Sequence, residues 1–225
     1  MILNAGDLTS EGQQLALARL CETYWRPLYC YTRQRGSSID DAEDLTQEFF
    51  RNLLEKNVVE HADRDRGKFR TFLLTSMKNF LSNEWRRATA EKRGGGKAPI
   101  RLDADAGETL FLTSAIEHST PETIFDKSWA IATLEEAMLH LEADYDAKGK
   151  GDLFRELRLL LWDDGSATYS QLGDQLGMSE AAVKMAVKRL RERAQEQLRT
   201  EITNTVGHSE EVEEEFRYLQ AVLQS

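Results

Sequence analysis

Cysteine, proline and long apolar runs are scarce or missing in this 225-residue chain, and each shortage excludes something. Only Cys21 and Cys30 occur. They fall in what reads as one helix, where nine residues at about 1.5 Å rise would hold them roughly 13 Å apart, too far for a disulfide. Both are expected to be core thiols. The four histidines, His61, His118, His140 and His208, are scattered without the cysteine or carboxylate spacing that holds zinc. No metal and no other cofactor is therefore expected. No stretch approaches the roughly 18 consecutive apolar residues that would suggest a bilayer span, and Met1 to Asp7 lack the basic run of an export signal. The expectation is a cytoplasmic protein with no membrane partner. Strand-like alternation of useful length is also missing, whereas helical periodicity is frequent, so the fold class expected is all-α.

What is present is charge, and it is unevenly placed. The chain carries a formal net charge of -10. Between Arg64 and Lys97, however, ten Lys or Arg face only Asp65, Glu84 and Glu91, a local +7 that leaves -17 for the remainder. A total of -10 argues against a protein that coats nucleic acid everywhere; a segregated +7 argues for one face that attracts it. With 40% apolar residues the chain can bury one good core or two small ones. Two helical domains joined by a flexible linker are expected.

Ser10 and Gln13 form a candidate capping box for a first helix through Leu15, Leu20, Tyr24 and Leu28, bent at Pro27 and ended by Gly36-Ser37-Ser38. A second helix begins near Asp40, burying Ala42, Leu45, Phe49 and Leu53, with Phe50 and Leu54 also candidates, and leaving Asp41, Asp44 and Glu48 outside. A third runs from about Lys68 to Lys92 with Phe69, Phe72, Leu73, Met77, Phe80 and Leu81 at core spacing. Gly94-Gly95-Gly96-Lys97-Ala98-Pro99 breaks the pattern, and residues 94–119 read as linker. Thr120 and Pro121 then cap and open a helix to about residue 146, with Ile124, Ile131, Met138 and Leu141 inward, followed by one over 152–162. Past Asp163 to Ser166 a helix-turn-helix is expected. Thr168 and Gln171 box the first helix, Gly177 is a left-handed stop, and Ser179 caps a second with Val183, Val187, Leu190 and Ala194 inward. That second helix carries a local +4 from Lys184 to Arg199. Residues 201–225 carry -5, with Val212, Phe216, Leu219 and Leu223 at helical spacing.

Taken alone, the carboxylates of the second helix suit a solvated face near a helix N-terminus, the aromatics of the third suit a core, and a helix-turn-helix can be a mere packing unit. The detailed pattern shifts each reading. Asp41-Ala42-Glu43-Asp44-Leu45-x-Gln47-Glu48-x-Phe50, preceded by Tyr24-Trp25-x-Pro27-Leu28-Tyr29-x-Tyr31, resembles domain 2 of the extracytoplasmic-function (ECF) class of sigma factors in the sigma-70 family. Phe69-x-x-Phe72-Leu73-x-x-Ser76-x-Lys78-Asn79 and Trp85-Arg86-Arg87 resemble the sigma segment that opens and reads the promoter -10 element. The C-terminal helix-turn-helix resembles sigma domain 4, which recognises the -35 element, although Ala182-Val183-Lys184-Met185-Ala186-Val187 lacks the threonine and arginine common there, and Asn83 stands where the family often has Asp.

The resemblance implies domain 2 over residues 8–93, domain 4 over 120–204 and an acidic C-terminal helix over 205–225. It implies docking on core RNA polymerase, at the clamp of the largest subunit through Asp41, Glu43, Asp44, Gln47 and Glu48, and at the flap of the second-largest subunit. Lys78, Asn79, Asn83, Trp85, Arg86 and Arg87 would contact the -10 strand, and Ser179, Lys184, Lys188, Arg189, Arg191 and Arg193 the -35 duplex. An anti-sigma factor and a kinase are further candidate partners, the kinase because Thr46 lies among the carboxylates, where phosphorylation would add about -2 charge. The acidic C-terminal helix reads either as a cap on domain 4 or as a cover on a basic DNA-binding face until polymerase displaces it.

Two rivals remain. The first is an enzyme: His61-x-x-Arg64 matches the His-x-x-Arg of tyrosine recombinases, but the next tyrosine is Tyr145, and Gly94-Gly95-Gly96 neither follows a strand nor ends in Gly-Lys-Ser/Thr. No catalytic residue is assigned. The second is a helix-turn-helix transcription regulator with an N-terminal helical sensing or dimerisation domain, which leaves the acidic and basic helices unexplained.

Overall fold

The computed structural model describes residues 23–55, 68–90, 104–114, 119–161, 169–206 and 209–224. The Ser10/Gln13 box, Cys21, the His61 to Arg64 segment and Thr168 lie outside them. Helices account for every regular element described: α1 (residues 23–34), α2 (Ile39–Glu55), α3 (Phe69–Ala90), α4 (Ala104–Ser114), α5 (Pro121–Ala147), α6 (Gly151–Leu157) with a 3₁₀ turn over Arg158–Leu160, α7 (Tyr169–Leu176), α8 (Glu180–Thr203) and α9 (Ser209–Leu223). No strand occurs among the described residues. The residues group into two compact units, Met1–Ala132 with Ile202–Ser225, and Thr133–Glu201.

In the first unit, α1 buries Tyr24, Leu28, Tyr29 and Tyr31 completely. It stops at Gly36, whose amide donates to the Arg33 carbonyl at 2.9 Å. Buried residues Phe69, Leu73, Met77 and Leu81 recur every fourth position along α3, the single-face spacing of a helix against a core. Tyr24 meets Phe69 edge-on at 5.6 Å, and Phe49 of α2 meets Phe80 at 5.7 Å, so aromatic edges tie α1 and α2 to α3. On α2, Ala42, Phe49, Phe50 and Leu53 are buried, whereas Leu54 is exposed.

Three expectations are corrected here. Residues 94–119, read as a flexible linker, contain the helix α4, which packs on α1. Its Leu110 joins Tyr29, Cys30 and Ile124 in one core cluster. Arg33 grips Glu108 with two hydrogen bonds of 2.8 and 2.9 Å, and the Tyr29 hydroxyl donates to the same carboxylate at 2.8 Å. Gly107 permits this approach: a Cβ there would stand 2.9 Å from Tyr29 Cδ1. Second, the boundary placed at residue 120 falls too early, because Ile124, Phe125 and Trp129 on the first half of α5 are buried within the first unit. Third, α9 belongs to the first unit through Phe216 and Leu219, which contradicts its reading as a cap on domain 4.

In the second unit, Leu141 and Tyr145 of α5 share a core with Phe154 and Leu157 of α6, Leu160 and Leu161 beyond it, Leu172 of α7, and Val183, Val187, Leu190 and Ala194 of α8. Gly177, at φ +63, makes the left-handed turn that stops α7. Ser179 caps α8, its hydroxyl accepting the Ala182 amide at 3.2 Å. The inward set expected from the sequence of α8 is the set that is buried.

Candidate functional site

On α2 the Ser38 hydroxyl accepts the Asp41 amide at 3.1 Å and donates to the Asp41 carboxylate at 2.7 Å, which fixes the helix start. Asp41 and Asp44 are exposed; Glu43 and Glu48 are half-buried. The spacing of 41, 44 and 48 sets three carboxylates on one helix face. Arg51 pairs with Glu48, and the Asn52 amide donates to it at 3.1 Å, so Glu48 is held while Asp41 and Asp44 reach solvent. Two residues assigned to this face turn away from it. Gln47 is buried and its amide donates to Glu43 Oε1 at 2.9 Å, holding a neighbour rather than meeting a partner. Thr46 is fully buried and its hydroxyl donates to the Ala42 carbonyl at 2.7 Å, the helix-interior back-bond that satisfies a hydroxyl facing the core. A kinase has no access to it in this fold, and the expectation of phosphorylation there is withdrawn.

On α3 the aromatics separate by position. Phe69 is buried, Phe72 and Phe80 are half-buried, and Trp85 is 75% exposed. An indole this open is costly to leave in water, and it presents a stacking face. Asn79, Asn83 and Arg86 are exposed at positions that share one face, with Arg87 beside them and ion-paired to Glu84 at 2.9 Å. Lys78, assigned to the same strand contact, is instead salt-bridged to Glu122 of α5 at 2.8 Å, a hydrogen bond that holds the Glu122 carboxyl below the usual range against the opposing pull of burial. The stretch from residue 79 to residue 87 thus carries a ring, amides and guanidinium groups: stacking, hydrogen-bonding and charge for a single strand.

On α8, Lys184, Lys188, Arg189 and Arg193 are exposed. Lys184 lies 2.6 Å from Glu180 and over the Tyr169 ring at 5.5 Å; Lys188 is 3.9 Å from Glu192; Arg193 stacks on Tyr145 at 5.5 Å. Arg191 departs from the assignment, because its guanidinium donates to the Leu160 carbonyl at 2.8 Å and closes the end of the 3₁₀ turn. Ser179 likewise spends its hydroxyl on the helix cap.

A second charged constellation escaped the sequence reading. Glu215 of α9 is only 2% exposed, yet it meets Arg70 at 2.8 Å and Lys68 at 2.8 Å, both at the start of α3. Arg70 also pairs with Asp126 of α5 and is sandwiched by Trp129 and Tyr218, 4.7 and 4.5 Å from the ring centroids. The Tyr218 hydroxyl donates to Asp126 at 2.7 Å. Burial alone would lower the Lys68 and Arg70 pKa values, but the hydrogen bonds they donate to Glu215 reverse that and raise both. The signal was present as two complementary runs, Asp65-Arg66-Gly67-Lys68-Phe69-Arg70 and Glu210-Glu211-Val212-Glu213-Glu214-Glu215, separated by some 140 positions. Among the described residues no group of three or more His, Cys, Asp or Glu is placed to hold a metal ion, and no helix is long and apolar enough to cross a membrane.

No curated protein and no solved structure matches the chain. Residues 20–91 match the family model for Sigma-70 region 2, a span that takes in α1, α2 and α3 and with them both the carboxylate face and the Trp85 end. That match gives the α1 to α3 span a likeness to region 2 of the sigma-70 family.

Proposed function

We propose that the chain is an ECF-class sigma factor that carries out no covalent chemistry of its own. Asp41, Glu43, Asp44 and Glu48 dock on the clamp of the largest polymerase subunit. Trp85, Asn79, Asn83, Arg86 and Arg87 take the unpaired non-template strand of the -10 element. The helix-turn-helix formed by α7 and α8 reads the -35 element through Lys184, Lys188, Arg189 and Arg193, and the unit containing it meets the flap of the second-largest subunit. The observation that carries the reading is the pairing of an exposed carboxylate face on α2 with an exposed indole and two arginines on α3, inside one span with region 2 character.

Melting demands such a division. A protein that opened DNA without a polymerase surface would have no enzyme to load, and one that gripped polymerase without a stacking platform would leave the bases paired. Run-off transcription with core polymerase, with and without this protein, tests the proposal: promoter-specific transcript should require the protein, and Asp41→Lys with Asp44→Lys should abolish it by loss of core binding. A transcript independent of the protein would overturn the reading. Operator binding by the protein alone, as a dimer and without core enzyme, would instead favour the helix-turn-helix regulator.

A further inference from the structure

Lys68 just before α3 and Arg70 in its opening turn belong to the same segment that carries Trp85, Arg86 and Arg87 near its other end, yet both are covered by carboxylates from the opposite end of the chain. Glu214 reaches Lys68 at 3.0 Å, and Glu215 bridges Lys68 and Arg70 at 2.8 Å each. An arginine fork and a lysine ammonium spaced to receive carboxylate oxygens are equally fitted to receive phosphate oxygens. We infer that Lys68 and Arg70 form a phosphodiester-binding pair that α9 occupies with Glu214 and Glu215 in the free chain, so that the acidic helix stands in for a nucleic-acid backbone until one displaces it. The inference rests on the reading of α3 as the strand-binding helix.

Three observations carry it. The contact is at the protein edge: the Glu214 side chain is 69% exposed beside a Lys68 that is 19% exposed, so a competing anion has a path to the pair. Exchange of the carboxylates for phosphate oxygens keeps both cations paired, so it avoids the cost of a stranded buried charge. Phe216 and Leu219 bury the apolar side of α9, so the exposed Glu214 can be replaced first and the buried Glu215 follows as α9 lifts. Removal of α9 would also take the Tyr218 ring away from Arg70, leaving that guanidinium with Trp129 and Asp126 as its described partners.

The test uses the full chain and a fluorescein-labelled single-stranded oligonucleotide of about 20 nucleotides, followed by anisotropy across salt. Each added phosphate contact on a single strand steepens the log affinity against log salt slope by about -0.7. Glu214→Gln with Glu215→Gln should tighten binding at low salt and steepen the slope by about 1.4, a roughly sevenfold greater loss of affinity across a fourfold rise in salt. Glu214→Gln alone changes an exposed side chain, leaves the fold intact, and should give about half that slope change. Glu210→Lys adds the same +2 charge to α9 at an exposed position and should leave the slope where it was. An unchanged slope in both Gln variants, or an equal change in Glu210→Lys, overturns the inference. Arg86→Ala with Arg87→Ala separates the two readings: loss of binding there with no gain in the Gln variants sinks the α9 inference alone, whereas a gain in the Gln variants with no loss there supports α9 and sinks the strand assignment of the Trp85 end.

Discussion

Arg70 and Arg87 belong to one helix and carry the same group, but they serve opposite ends. Arg70 is 11% exposed, bound to two carboxylates and clasped between two rings. Arg87 is 75% exposed, with one neighbouring glutamate on its own helix as an ion-pair partner. The helix therefore consumes positive charge where it enters the core and displays it where it leaves. Local charge counts see +7 across the whole segment and miss this division; only the partners of each guanidinium reveal it.

The comparison breaks most readily at Arg70. Arg70→Met should cost about 3 kcal/mol in urea unfolding, since it leaves the buried Glu215 with Lys68 as its remaining cation and removes the guanidinium from Asp126. Arg87→Ala should stay within about 0.5 kcal/mol of the parent. Equal losses would erase the distinction between the two ends. Gly107→Ala extends the test to the other packed charge, Arg33 with Glu108: its Cβ would press on the Tyr29 ring and cost about 1–3 kcal/mol, read from the same unfolding curves. Trp85→Ala should leave stability almost untouched while weakening capture of an unpaired base by about 1–3 kcal/mol, measured by 2-aminopurine fluorescence in the -10 region with core enzyme present.

The smallest effect concerns acid. The hydrogen bonds from Arg33 hold the Glu108 carboxyl below the usual range, outweighing burial, which acts the other way. A carboxyl whose folded pKa is depressed contributes stability that is complete above its unfolded value, near 4.3, and fades as pH falls through the folded one. Hydrogen exchange of the α4 amides should accordingly speed up below about pH 4, beyond the intrinsic pH trend. Unaltered protection of α4 there would show that Arg33 and Glu108 hold each other without holding the helix.

Much of the scaffold was legible because its signals are local. Ser38, Gly36, Gly177 and Ser179 act within one turn of the helices they bound, and the fourfold spacing of Phe69, Leu73, Met77 and Leu81 reports a buried face directly. The helix α4 was hidden because Ala104-Asp105-Ala106-Gly107-Glu108 has the composition of a linker, and its reason for folding, the fit of Gly107 and Glu108 to Tyr29 and Arg33, lies on another helix. The same distance concealed the target of α9. On α2, Thr46 shares a sequence neighbourhood with exposed acids but sits on the opposite arc, and Gln47 lies about a quarter turn round from them, where it is buried. The bond from Arg191 to the Leu160 carbonyl was hidden for a similar reason, since its partner lies 31 positions away.

The Cys30 thiol, which points to the Gly107 carbonyl at 3.8 Å and is pushed by burial to about 12, has a practical consequence. Only the thiolate reacts with alkylating reagents, and at neutral pH this sulfur has almost none while α1 and α4 remain together. Site-resolved iodoacetamide labelling of Cys30 would thus clock the parting of those two helices, giving a built-in stopwatch for how long the N-terminal scaffold stays shut.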